Sequence, residues 1–157
     1  MKNKKLRDIQ SEPDYRNIPI NRVGIKDIRY PVVVLDRMDG RQHTVAKVNM
    51  YVNLPHQFMG THMSRFVEIL NRYRHGISTL KIREILDDMK KQLDAETAHF
   101  EIEFPYFITK SAPVSGEEAK MEYTCRLVAN SDVDYYMLEV KVPVLSLCPC
   151  SKEISTF

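Results

Sequence analysis

The sequence predicts an α+β protein in which an antiparallel sheet carries a pair of helices on one face. Apolar and polar residues alternate in five stretches, which is typical of half-buried strands. Two stretches near the middle of the chain instead carry apolar residues three and four positions apart, as amphipathic helices do. Turn-forming residues separate successive strands at hairpin spacing, and hairpins imply antiparallel pairing.

The chain begins with a segment that lacks any periodicity. Residues 1–20 are charged and polar and include two prolines, so we expect an extended N-terminal arm. A first strand starts near Val23, and a slip in its alternation at Asp27 predicts a β-bulge. The turn signal Met38-Asp39-Gly40 and the alternating residues from Ala46 to Leu54 complete a hairpin.

Two helices follow the hairpin. Thr61 is the predicted N-cap of the first helix, which should end at His75-Gly76. Its expected buried face consists of Met63, Phe66, Val67, Leu70 and Tyr73. The second helix should begin at Ser78 or Thr79, with a buried face formed by Ile82, Ile85, Leu86, Met89 and Leu93.

Three more strands complete the predicted order ββααβββ. They are expected over Phe100–Ile108, Met121–Ala129 and Tyr136–Val144, with turns between them. Residues 21–157 therefore form one domain after the arm. An open antiparallel sheet has two unpaired edges, so we expect a homo-oligomer.

Composition excludes several classes of protein. The 157 residues are 43% hydrophobic and 28% charged, within the usual range of globular domains. A net charge of +2 gives no general attraction to nucleic acid or to an anionic membrane. Because the sequence has no membrane-length apolar run and no signal-peptide pattern, we expect a cytoplasmic protein.

The cysteines are the first candidates for chemistry. Three cysteines without a secretory signal make a disulfide framework improbable. Cys148 and Cys150 flank one proline in the run from Leu147 to Ser155, and Lys152 would favour a thiolate there. On spacing alone, an inert pair and a metal or catalytic site are equally good interpretations. Cys125 alternates with strand residues and is expected to be a small buried hydrophobe.

The start of the first helix is a candidate anion site. Thr61, His62, Ser64 and Arg65 fall in or beside its first turn, where unpaired amides and the helix dipole favour a phosphate or carboxylate. A plain helix cap with a solvent-exposed arginine explains the same spacing. The remaining histidines are scattered and form no metal-binding pattern.

Three motifs together resemble a known family. The runs Leu147-Cys148-Pro149-Cys150-Ser151-Lys152-Glu153-Ile154-Ser155, Gly60-Thr61-His62-Met63-Ser64-Arg65-Phe66 and Arg22-Val23-Gly24-Ile25-Lys26 are similar to the type IB GTP cyclohydrolases. The resemblance implies a tunnelling fold, in which sheets with helix pairs assemble by their edges into barrels, here of a homotetramer.

The resemblance also implies an activity. It is the conversion of GTP and water to 7,8-dihydroneopterin triphosphate and formate, the first step of tetrahydrofolate biosynthesis. A divalent metal, which could be zinc, manganese or iron, would serve the hydrolysis, with Cys148 as its ligand and the catalytic cysteine. Cys150 and Lys152 would support that thiolate, and Thr61, His62, Ser64 and Arg65 would hold phosphate. Neither a nucleic acid nor a membrane partner is implied.

The chain departs from the family pattern at its end. In the family, a second half follows the cysteine run and supplies further metal ligands and the guanine-binding glutamate, whereas this sequence stops at Phe157. We therefore expect a piece of a longer protein that is inactive alone. Two other interpretations stay open: another pterin- or deazapurine-handling enzyme of the same fold, and a non-catalytic oligomer-forming module.

Overall fold

A computed structural model describes residues 12–13, 15–16, 18–37, 40–133, 135–146 and 148–154, without the side chains of residues 151, 152 and 154. Most of the predicted arm and the turn residues Met38 and Asp39 lie outside these described residues. The described end of the arm contacts the domain, because Glu12 O accepts a hydrogen bond of 3.1 Å from Met59 N.

The strands form one antiparallel sheet whose spatial order is the chain order. They are β1 (Ile20–Asp36), β2 (Gly40–Leu54), β3 (Ala98–Ser111), β4 (Glu118–Asn130) and β5 (Tyr135–Lys141). The predicted bulge at Asp27 is confirmed: the β1–β2 register shifts there, and the residue has a φ of 57°. Asn49 Oδ1 accepts the Asp27 amide at 2.7 Å and so holds the bulge.

The helices lie between β2 and β3 in the chain, as predicted, and the α+β class is confirmed. They are α1 (Met63–Tyr73) and α2 (Ile82–Gln92), with a 3-10 turn (Thr79–Lys81) before α2 and a short α3 (Pro149–Ile154) after β5. The N-cap of α1 is His62 rather than the predicted Thr61. No helix in the described ranges is long and apolar enough to cross a membrane.

The buried face of α1 differs from the prediction at several positions: Ile69, which was not expected there, is buried, and Val67 and Tyr73 are only partly buried. Phe66, Ile69 and Leu70 are buried, but Met63 is 43% exposed. Side chains on a helix lean towards its N-terminus, so the side chain of the first residue extends beyond the helix. Every residue predicted for the buried face of α2 is buried.

The two faces of the sheet have opposite character. The face under the helices carries the core, in which α1 packs on β1 and α2 packs mainly on β3. Cys125 belongs to this core, as predicted. The opposite face carries ion pairs between strands: Asp27 with Lys47, Arg126 with Glu101 and Glu139 on its two neighbouring strands, and Lys141 with Glu103 two strands away.

Side chains continue the β2–β3 pairing after the backbone ladder ends. The ladder runs only from the Val52–Ala98 pair to the Lys47–Glu103 pair. Beyond it, the Gln42 amide donates to Phe107 O at 2.6 Å and accepts from Phe107 N at 2.8 Å. The Asp36 carboxylate accepts hydrogen bonds from Gln42, at 3.0 Å, and from the Tyr106 hydroxyl.

Candidate functional site

The candidate anion segment lies at the end of the sheet where β2 ends and β3 begins. The loop after Leu54 leads into α1, and the far end of α1 is fixed by a 2.7 Å hydrogen bond from Val33 N to Arg74 O. Gly60, Thr61, His62 and Arg65 line a small cavity together with the end of α2. The predicted residues Thr61, His62 and Arg65 are therefore brought together, and Ser64 lies beside them, exposed.

Arg65 has a partner within the fold. Its Nη1 donates to Gln92 O at 2.5 Å and lies 4.0 Å from an Asp94 carboxylate oxygen. The side chain thus satisfies a carbonyl at the C-terminus of α2, where a cation is favourable. The cavity holds about 20 Å³, room for about one water molecule and too little for a phosphate. A phosphate would therefore bind on the surface of this segment or displace Arg65 from Gln92.

The cysteine run begins where the chain has left β5. Cys148 and Cys150 are both exposed, and Pro149 is the first residue of α3, a position that proline favours. The side chain of Lys152 lies outside the described residues. The exposed position of both sulfurs leaves them accessible to a metal ion and to the ligands that would complete its site.

A complete metal site does not form within the described part of the chain. No group of three or more histidine, cysteine, aspartate or glutamate side chains comes together there. A catalytic zinc site takes ~3 protein ligands and an open position. The thiolate chemistry of Cys148 fits one such ligand, but the described donors are too few, so the metal role of Cys148 stays a prediction.

The strand that leads to the cysteine run ends far from the candidate anion segment. β5 starts beside Asn130, at the same end of the sheet as the anion segment, and runs away from that end to Lys141. Lys141 pairs with Thr124, and Thr124 pairs with Pro105, seven residues along β3 from Ala98. At ~3.3 Å per residue this is about 23 Å. Among the described residues, none from the cysteine run lines the cavity at Arg65.

Sequence reasoning missed the charged face of the sheet. Arg126 Nε donates to Glu101 Oε1 at 2.7 Å, and Arg126 Nη1 lies 3.3 Å from Glu139 Oε2. Burial opposes ionisation of Glu101, but hydrogen bonds from Arg126 and Asn49 outweigh it, so the pKa of this carboxyl lies below its ordinary value. The available signal was the opposite charges at the polar positions of three predicted strands.

His99 lies on the same face, beside the start of β3. Burial and the nearby positive charge of Arg22 both disfavour the imidazolium, and the pKa of His99 is therefore lowered. A neutral imidazole can accept as well as donate a hydrogen bond.

Comparison with known proteins identifies relatives over almost the whole chain. The chain is 58% identical over 149 residues to a GTP cyclohydrolase FolE2 of Pelobacter propionicus, which covers 94% of this chain and 58% of the relative. It is 58% identical over 151 residues to that of Geobacter sulfurreducens, covering 96% of this chain and 58% of the relative. It is 56% identical over 158 residues to that of Citrifermentans bemidjiense, covering 100% of this chain and 59% of the relative.

These relatives are longer than the chain, which spans 58–59% of their length. A family model described as type I GTP cyclohydrolase folE2 matches residues 6–157. Both the segment at Arg65 and the cysteine run fall inside that match. With so continuous a match, the chain belongs to the GCHY-1 family of type I GTP cyclohydrolases.

Proposed function

We propose that these residues are part of a metal-dependent, cytoplasmic GTP cyclohydrolase that converts GTP and water to 7,8-dihydroneopterin triphosphate and formate. The observation that carries this proposal is the family match over residues 6–157, which includes the cysteine run. The relatives bear the name GTP cyclohydrolase FolE2. The reaction hydrolyses C–N bonds of the purine imidazole ring and would supply the first intermediate of tetrahydrofolate synthesis.

In this proposal Cys148 supplies one ligand to the metal. When bound, a divalent metal lowers the pKa of a coordinated water and polarises the carbon that water attacks. The exposed position of Cys148, just before α3, leaves its sulfur accessible to ligands from another part of the protein. Cys150, within α3, would support the thiolate without coordinating the metal.

The substrate's triphosphate would be held by the segment from Thr61 to Arg65. This segment lies at the end of the sheet from which β5 leads away, and no described residue of the cysteine run lines the cavity at Arg65. The complete site would therefore combine groups from different copies or from a further part of the polypeptide. A homotetramer would supply such neighbours, and the two open sheet edges support assembly.

The experiment uses a full-length chimera, in which this chain replaces the matched portion of the Pelobacter propionicus relative. Formate release from GTP and bound metal per subunit are measured for the chimera, for Cys148→Ser and for Cys150→Ser. We expect Cys148→Ser to lose the metal and at least ~10³-fold in turnover, because a ligand is removed. Cys150→Ser should keep its metal and lose ~10–100-fold or less, as expected for a supporting residue.

The matched pair separates ligation from general damage to α3. Both substitutions remove an exposed sulfur from the same short segment, so a folding defect would affect them alike. Equal metal content and equal turnover in the two variants would remove Cys148 from the mechanism. A chimera that binds GTP but releases no formate would contradict the proposed reaction itself.

A further inference from the structure

The described end of the N-terminal arm lies across the loop between β2 and α1. Pro13 forms an antiparallel β-bridge with Phe58, and Glu12 O accepts the hydrogen bond of 3.1 Å from Met59 N. Glu12 is partly buried by this contact, while Pro13 remains exposed. The arm therefore pairs with the loop through its backbone, a few residues before α1 begins.

The same loop forms one wall of the small cavity at Arg65. Phe58 lines that cavity together with Thr61 and His62. Thr61 follows Met59 by two residues, and two residues span at most ~7 Å of chain. A contact that fixes Met59 therefore also limits where Thr61 and His62 can lie.

The other contacts of this part of the chain lie on either side of the arm contact. The end of β2 is fixed to the start of β3, because Asn53 Oδ1 accepts hydrogen bonds from Glu96 N at 2.9 Å and Thr97 N at 2.8 Å. The start of α1 lacks the usual anchor, since His62, its N-cap, makes no side-chain hydrogen bond to the described first turn. The arm thus holds the loop between a fixed strand end and a helix start without a side-chain cap.

This arrangement matters for binding a phosphate at the start of α1. Ordering backbone residues on binding lowers affinity, whereas residues that are already fixed in the free protein bind without that cost. Pro13 adds to the effect, because its ring restricts φ to about −65° and so limits the conformations of an undocked arm. A docked arm should therefore raise the affinity of the segment for phosphate.

The arm contact belongs to the part of the chain that matches the family. The match begins at residue 6, so Glu12 and Pro13 fall inside it together with Phe58 and Met59. Both sides of the contact are therefore carried into the full-length chimera with this chain.

We propose that Glu12 and Pro13 position the segment that holds the triphosphate of the substrate. By pairing with Phe58 and Met59, they keep Thr61 and His62 preorganised for the phosphates. Neither arm residue touches the substrate, so both are positioning residues. This inference rests on the proposed function, because it takes the segment from Thr61 to Arg65 as the triphosphate site.

The test compares two truncations of the arm in the full-length chimera. Deletion of residues 2–13 removes the contact, whereas deletion of residues 2–5 stops before the family match and keeps Glu12 and Pro13. We measure kcat and KM for GTP and the inhibition constant of guanosine, which has the same base and ribose but no phosphate. Without residues 2–13, KM should rise at least ~10-fold, while kcat and the guanosine constant change less than about threefold, because binding common to ground state and transition state is lost. The shorter deletion should change none of the three.

Two proline substitutions form a matched pair in the same chimera. Pro13→Gly frees the backbone at the bridge and should raise KM for GTP about threefold. Pro19→Gly makes the same change at an exposed position just before β1 and should leave KM unchanged.

Hydrogen exchange of the Met59 amide reports the contact without any activity assay. Because Glu12 O accepts this amide, its exchange should be at least ~10-fold faster without residues 2–13 and unchanged without residues 2–5. Equal exchange in the two truncated chimeras would overturn the proposal, since the arm would not hold the loop.

The kinetic outcomes separate this inference from the proposed function. An intact chimera that neither binds GTP nor releases formate would overturn the proposed function, and this inference with it. An unchanged KM in an active chimera without residues 2–13 would overturn the inference alone. Equal weakening of GTP and guanosine would do so too, because the arm would then support the whole site rather than the phosphate segment. If the longer deletion does not fold, as judged by circular dichroism, equal KM values for Pro13→Gly and Pro19→Gly would overturn the proposal.

Discussion

At the scale of single residues, Glu101 shows how the charged face is organised. Its carboxylate accepts a hydrogen bond from Arg126, whose other end approaches Glu139 on the next strand. Both Glu101 and Arg126 keep about a third of their side-chain surface in water. Their pairing is therefore only moderately stabilising, and its contribution depends on the ionisation of Glu101.

The pH dependence of this pair follows from the lowered pKa of Glu101. Glu101→Gln should lower the free energy of unfolding by about 1 kcal/mol at neutral pH. A carboxyl whose pKa is lower in the folded state stabilises the protein above its unfolded pKa of ~4.3 and loses that contribution as pH falls through the folded value. Urea unfolding of both proteins across this pH range should therefore show the difference shrinking in acid.

The exposed Glu118→Gln, on the adjacent strand β4, is the control for a change of net charge. It should show a smaller difference at neutral pH. A Glu101→Gln difference that stays constant down to pH ~2–3 would show that ionisation of this carboxyl does not stabilise the fold.

Arg65 shows which contacts of a single residue cannot be predicted from its neighbours in the sequence. The sequence places it in the first turn of a helix, next to Thr61, and the structure agrees to within one residue. Its partner, Gln92 O, lies 27 positions away, and only the packing of α1 beside α2 brings the two together. The exposure of Met63 could not be predicted for a similar reason. Helical spacing identifies the apolar face of α1 but not how far along α1 that face is buried by the rest of the fold.

At the scale of elements, Gly24 fixes how closely β1 approaches β2. A Cβ at this position would lie 1.9 Å from Met50 O and 2.9 Å from Tyr51 Cα, both of them backbone atoms. Such an overlap cannot be relieved by rotating a side chain. The glycine in the run Arg22-Val23-Gly24-Ile25-Lys26 therefore has a structural explanation.

Gly24→Ala should destabilise the hairpin for this reason. We expect the free energy of unfolding to fall by roughly 1–3 kcal/mol, as for other overpacked sites. Gly76→Ala is the matched control, because the nearest atom to its new Cβ would be Lys81 Nζ at 3.5 Å, an ordinary contact. Thermal unfolding that is equal in the two variants would contradict the close approach of the strands.

The strands and the two main helices were predictable because each has its own periodicity. The bulge at Asp27 was predictable too, since it interrupts the alternation of a single strand. The junction at Gln42 was not, because its hydrogen bonds to Phe107 join residues 65 positions apart. The short α3 has too few residues for a helical period to be recognised.

At the scale of the whole molecule, the candidate site is distributed rather than assembled. The phosphate candidates and the cysteine run were found from local motifs, but the direction of β5, which leads to the cysteine run, follows from strand pairing that no local motif indicates. The family resemblance supplied the role of Cys148, and no local pattern could identify ligands from outside the described residues. Within the described residues of one copy, no three potential metal donors come together.

The 157-residue chain alone should therefore release no measurable formate from GTP and bind less than one metal ion per chain. The physical reason is that its described residues bring together fewer than three donors. The full-length chimera serves as the positive control in the same assay. Turnover by the purified chain, with its mass verified, would contradict this prediction.

The strand order has a consequence for how the protein is made. Each strand pairs with the strand before it in the chain, with no crossover between non-consecutive strands. Every pairing can therefore form as soon as the next strand leaves the ribosome, without waiting for later sequence. The core under α1 and α2 could close while β5 is still being synthesised, because β5 only adds to the outer edge of the described sheet.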